Sequence, residues 1–221
     1  MATLFTWALT AIGASCVFFF KTMNRTFLDG TLGFTGGVMV AASFWSLLAP
    51  AIEMSHGDGF TKVMPSAVGF FLGALFIFLL DKTLPHLHIN FQESGGVAAG
   101  VPETSITAAV ILALGIGIQN FPEGIAVSMP LKRMGMSNTK SFLYGQSSAL
   151  VEPVAAVIGA VAVNFFVPVL PYALAFAAGA MIFVVVEEVI PETQMANNTD
   201  IATLGFILGF IIMMTLDVAL G

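Results

Sequence analysis

Apolar residues along the chain gather into long runs separated by short polar connections. About seven runs fall near residues 2–20, 30–53, 65–81, 106–129, 142–167, 170–190 and 201–220. Each approaches the roughly 20 apolar residues that a helix needs to cross the hydrocarbon core. The pattern predicts an all-α, polytopic transmembrane helix bundle. Because the runs recur from end to end, it also predicts a single transmembrane domain over residues 1–221. The first run lacks a basic leader and is followed by Lys21 and Arg25. It therefore reads as a retained span with its N-terminus outside. Glycines four residues apart, at Gly33 and Gly37, Gly69 and Gly73, and Gly205 and Gly209, let helix backbones approach closely in lipid.

The basic residues disturb this seven-span picture. Counting alternate sides puts Lys21, Arg25 and Lys82 on one face and Lys62, Lys132, Arg133 and Lys140 on the other. Cytoplasmic loops should hold the excess of Lys and Arg. One further crossing between residues 85 and 105 would move the 132–140 cluster beside Lys21, Arg25 and Lys82, leaving only Lys62 outside. The charges ask for eight crossings, yet "PHLHINFQESGGVAAGVPETS" is too short and too polar to supply one.

Composition supports the membrane reading and narrows the chemistry. The chain is 57% hydrophobic and 9% charged, against about 25% charged in an average soluble domain, and its mean hydropathy is +0.96. A net charge of −6 leaves no basic patch for nucleic acid and favours acidic sites for cations. The single Cys16 excludes an intramolecular disulfide and any CxxC motif. No Walker loop, HExxH or Ser/His/Asp arrangement is present, so an enzyme has little to stand on.

Candidate chemistry concentrates in "GIGIQNFPEGIAVSMP", residues 115–130. A carboxylate at mid-helix costs roughly 2.5–3.5 kcal/mol on insertion scales, so it faces a partner or a wet cavity. On a helix Gln119 and Glu123 share a face, with Asn120 beside them. Pro122 disturbs the turn and frees a carbonyl, and Gly124 thins the helix next to the carboxylate. Glu152, followed by Pro153, repeats the device in the next span. Carboxylate and amide oxygens suit hard or borderline divalent cations.

The plainer alternative for either glutamate is a protonated, hydrogen-bonded packing residue. Glu187 and Glu188, like Glu53 and Asp217, lie near span ends where solvation explains them equally well. His56, His86 and His88 read as loop residues, and Trp7 and Trp45 as packing or lipid-facing.

The segments "AASFWSLLAPAIE", "GIGIQNFPEGIAVSMPLKRMGMS", "SFLYGQSSALVEPVAAVIGA", "LPYALAFAAGAMIFVVVEEVIPE" and "LGFILGFIIMMTLDVALG", in this order, resemble the Zrt/Irt-like (ZIP) divalent metal transporters, most closely the GufA-type subgroup. The resemblance implies eight spans around a binuclear metal site on the fourth, fifth and sixth family helices. By it, Gln119, Asn120 and Glu123 are fifth-helix metal residues, Glu152 is the sixth-helix glutamate, and Glu187 and Glu188 match auxiliary positions near the seventh-helix exit, Glu188 being the weaker addition to the metal set.

The family's fourth-helix HNxPEG-like segment has no counterpart before residue 106. The expected function is transport of zinc or another divalent cation toward the cytosol, with no cofactor and the metal as substrate. The expected partners are the metal ion and the lipid bilayer, with a homodimer open. The competing reading is a truncated or splice-like homologue that does not transport and acts only as a membrane interaction partner.

Overall fold

The computed structural model describes residues 2–20, 24–83, 117–150 (without 119, 122, 126, 130 and 133) and 167–220. The regular structure among them is helical. In chain order it comprises α1 (Ala2–Ala14, resuming as Cys16–Phe19), α2 (Arg25–Met54), α3 (Phe60–Thr83) and α4, the helical turns within residues 117–132. α5 (Asn138–Ser147, tightening at Ser148–Leu150), α6 (Leu170–Gln194) and α7 (Thr199–Leu220) follow.

Among the described residues, α2, α3, α6 and α7 are long and apolar enough to cross a membrane, and Thr3–Phe19 of α1 is a shorter apolar helix. The chain is an integral, multi-pass membrane bundle.

Helices outrun their apolar runs where polar residues hold the ends. α2 begins five residues before its run because Asn24 accepts a hydrogen bond from the Thr26 amide at 3.0 Å, satisfying an otherwise orphaned donor. α3 likewise starts ahead of Pro65, on a turn in which the Thr61 hydroxyl donates to the Asp58 carbonyl at 2.8 Å.

α2 and α6 share an irregularity with one cause. Each widens into a π turn, at Ser43–Leu48 and Val185–Val189, just ahead of Pro50 and Pro191. A proline ring cannot donate a backbone hydrogen bond and collides with the carbonyl four residues back. Both helices yield by bonding five residues back, from the Ala49 amide to the Phe44 carbonyl and from the Ile190 amide to the Val185 carbonyl.

Two parallel helix pairs follow. α7 lies along α2, with Gly33 against the carbonyl of Ala202, Gly37 against that of Phe206 and Gly209 against that of Phe34. α3 lies along α6 in the same way, through Gly69 on Tyr172, Gly73 on Phe176 and Gly179 on Phe70. Each π-containing helix thus turns into a glycine-lined helix that packs on the other π-containing helix. Their core gathers Met39, Leu47, Ile77, Leu174, Met181 and Val185.

α1, α4 and α5 form a second unit. Gly13 and Gly124 admit backbone of the neighbouring helix, and Gly145 of α5 sits against Ala14 and Ser128. Val17, Leu28, Leu32, Ile125 and Met129 form the apolar cluster between this unit and α2.

Contacts at the helix ends assign faces. The Lys132 ammonium donates to the carbonyls of Val17 and Phe20, so α4 ends where α1 ends, and Asn24 follows Phe20 by four residues. Arg25 in turn contacts Glu192 near the end of α6, along which α3 runs parallel to its own end. Arg25, Lys82, Lys132 and Lys140 therefore share one face, and Lys62 lies on the other. Thr83 and residue 117 consequently lie toward opposite faces, the arrangement that the basic residues asked for.

Candidate metal site

Of the candidate residues, Asn120 and Glu123 lie on α4, are 1% and 4% exposed, and stand three apart on a helical stretch, so they share a face. Gln119, Pro122, Glu152 and Pro153 lie outside the described residues. Glu188 is half-buried on the π turn of α6, beside the exposed Glu187. Among the described residues, three or more His, Cys, Asp or Glu do not gather into one group. The described candidates are thus Asn120 and Glu123 on α4 and Glu188 on α6.

The surroundings of α4 explain how an ionisable residue is seated there. Gly124, next to Glu123, packs on the backbone of Thr10 and Ala14, where a Cβ would collide. Ser128 donates back to the Gly124 carbonyl at 2.6 Å, which satisfies its hydroxyl within the helix. Gly117 sits under Leu9 and Phe5. α5 is tied to α1 by the Trp7 indole, which donates to the Gln146 side-chain oxygen at 3.0 Å. Trp7 is half-buried, and its indole N–H finds an acceptor inside the protein, so Trp7 does more than pack. Lys132 closes the end of α1. Asn120 and Glu123 are thus carried on a helix held by backbone contact, side-chain hydrogen bonding and a lysine cap.

Polar pairs outside this site were not singled out as pairs by sequence. The Arg25 guanidinium pairs with Asp29 at 2.7 Å, an ion pair lacking the alignment of a hydrogen bond. It also meets the Glu192 carboxylate at 2.9 Å and its carbonyl at 2.7 Å. Asn198 donates to the other Asp29 oxygen at 3.0 Å. Near the opposite face Ser46 donates to Asp217 at 2.9 Å, which gives Asp217 a partner rather than simple solvation. The only sequence signals for these pairs are an aspartate and an arginine one helical turn apart and a serine within an apolar run.

The profile of the ZIP zinc transporter family matches residues 92–217, more than half of the chain. The human zinc transporter ZIP11 is 37% identical over all of this chain and 96% of its own length. The zinc transporter GufA of Myxococcus xanthus is 31% identical over all of this chain and 98% of its own length. The zinc transporter ZIPB of Bordetella bronchiseptica is 34% identical over 97% of this chain and 79% of its own length. The GufA alignment runs over 256 positions against 221 residues here, leaving at least 35 positions of that relative without a counterpart.

Proposed function

The chain belongs to the ZIP zinc transporter family, and on that premise we propose that it moves zinc or a related divalent cation across the bilayer toward the cytosol. The observation that carries this reading is the burial of Glu123 beside Asn120 inside a bundle of membrane helices, since a carboxylate buried in such a bundle marks an ion path.

In the proposed mechanism Glu123 and Glu152 bind the dehydrated metal and Gln119 and Asn120 complete its shell. Glu188 serves at one mouth. Alternating access comes from rocking one helix unit against the other. The apolar cluster of Val17, Leu28, Leu32, Ile125 and Met129 supports this, because it offers a surface without hydrogen bonds to break.

Radiolabelled zinc uptake into proteoliposomes holding the purified chain tests the reading, with Glu123→Gln as the matched control. Saturable uptake that this isosteric neutral variant abolishes is the expected result. Unchanged uptake in Glu123→Gln sinks the assignment of the site. Protons compete with metal for a carboxylate, so uptake also falls as the pH is lowered through the carboxylate range. A flat profile there contradicts the mechanism.

A second reading is favoured by the alignment gap of at least 35 positions and by the lack of an HNxPEG-like segment. In it the chain is a shortened homologue that folds but does not transport, and acts as a membrane partner. No uptake from folded wild-type protein selects it.

A further inference from the structure

Away from the candidate site, on the outer side of the α2–α7 pair, the molecule carries a groove of about 480 Å³ between the first halves of these two helices. Phe27, Gly30 and Phe34 form one wall, and Ile201, Gly205 and Leu208 the other. Its two glycines take no side chain into the space, so the recess reaches toward the backbone. Phe27 and Leu208 are each 54% exposed, so the groove opens on the outer, lipid-facing surface of two membrane spans.

Its polarity is confined to one end. Asn24 and Thr26 line the groove at the Arg25 face. The Thr26 hydroxyl is engaged by Asn198 at 3.3 Å and that of Thr31 by the Leu28 carbonyl at 2.9 Å. Below that end the walls offer carbon, so water has too few partners to fill the space. Left empty, the lining loses its dispersion contacts outright.

The geometry points to one occupant, a single acyl chain of a glycerophospholipid, with its headgroup at the Asn24 end. A flexible hydrocarbon chain fits a long recess with apolar walls. A polar headgroup fits the rim where the bundle meets water, on the face that also carries Arg25, Lys82, Lys132 and Lys140. The groove is shallow and open toward lipid, but side chains of two helices flank a glycine floor, so an acyl chain gains contacts there that a flat apolar surface does not give. The groove is thus a lipid seat that joins the starts of α2 and α7.

The test compares wild type with two variants that fill the groove from different positions, Gly30→Leu and Thr31→Leu. A Cβ at Gly30 meets only the β-branch methyl Cγ2 of Ile201, at 3.2 Å, so the first added atom of Gly30→Leu presses on a side chain of the groove wall and not on backbone. Leu204→Phe, on the exposed surface outside the groove, is the control.

Native mass spectrometry of the chain in mild detergent is expected to show one phospholipid retained per wild-type and Leu204→Phe chain, and none on either filled variant. Adding phosphatidylglycerol or phosphatidylethanolamine to delipidated protein should raise the thermal midpoint of wild type and leave the filled variants unmoved. Equal lipid retention and equal lipid-induced shift in all four proteins overturns the proposal. So does protection by a detergent of the same chain length that matches the phospholipid. A wild-type dimer that Gly30→Leu splits without any loss of lipid assigns the groove to a second copy instead.

Discussion

Asp29 is fully buried at the start of α2, with Arg25 on one oxygen and Asn198 on the other. Through Arg25 it also reaches Glu192, so three helix ends meet on one carboxylate. Removing one partner of a fully buried ion pair costs about 3–5 kcal/mol, because the charge left behind is uncompensated, whereas replacing both with apolar groups is often neutral; with the Arg25 side chain 31% exposed the cost here lies below that range. Arg25→Met is therefore expected to lower the thermal midpoint in detergent sharply, and Arg25→Met with Asp29→Leu to recover much of the loss. A double variant at least as unstable as the single one would show that the pair stabilises by more than mutual neutralisation. Sequence reading found Glu123, because a carboxylate among lipid-grade residues stands out by itself. It missed Asp29 as a pairing partner, because Asn198 is 169 positions away and a charge at the edge of a span looks solvated.

The helices pair through absent side chains. A methyl at Gly37 would fall on the Phe206 carbonyl, and one at Gly73 on the Phe176 carbonyl. Overpacking costs typically 1–3 kcal/mol when side chains can move, and here the obstacle is backbone. Gly37→Val and Gly73→Val are expected to fall at or beyond the upper end of that range, while Gly30→Ala costs less, because its nearest neighbour is a side-chain methyl, Ile201 Cγ2 at 3.2 Å, that has to give by only a few tenths of an ångström. Thermal unfolding followed by size-exclusion chromatography would separate them, and equal midpoints for all three would refute the close packing. These contacts were legible in advance as glycines four residues apart. Which helices they join was not, since spacing within one helix says nothing of its partner. The π turns escaped sequence reading for a different reason: the disturbance precedes the proline that causes it. The residues ahead of Pro50 and Pro191, "SFWSLL" and "VVEEV", read as ordinary helix.

Across the whole molecule, the parity of crossings links the charge pattern, the packing and the family. α3 ends on the face of Arg25, and α4 ends there too, capped onto α1 by Lys132. Between them the chain has to pass from one face to the other, yet residues 85–105 lack the apolar length of a span. The GufA relative carries at least 35 further positions, enough for a helix of about 20 residues and its turns. Sequence alone reached the need for this crossing through seven basic residues. It could not say which helix ends meet, because that depends on contacts between residues more than 100 positions apart. Two turns, one before α3 and one after α4, make the topology measurable. Gly59, before α3, and Gly135, after α4, both have positive φ and open space around them, so cysteines there, in a Cys16→Ser background, would be reached by an impermeant thiol reagent. Labelling from opposite sides of sealed vesicles is the expected outcome, with Gly135 on the side of Arg25. It would mean that the chain keeps an eight-crossing topology with a polar segment in place of one helix. Labelling from the same side would mean that α4 is inverted relative to α1, which would break the Lys132 cap and the Gly13 and Gly124 contacts and remove the setting that holds Glu123.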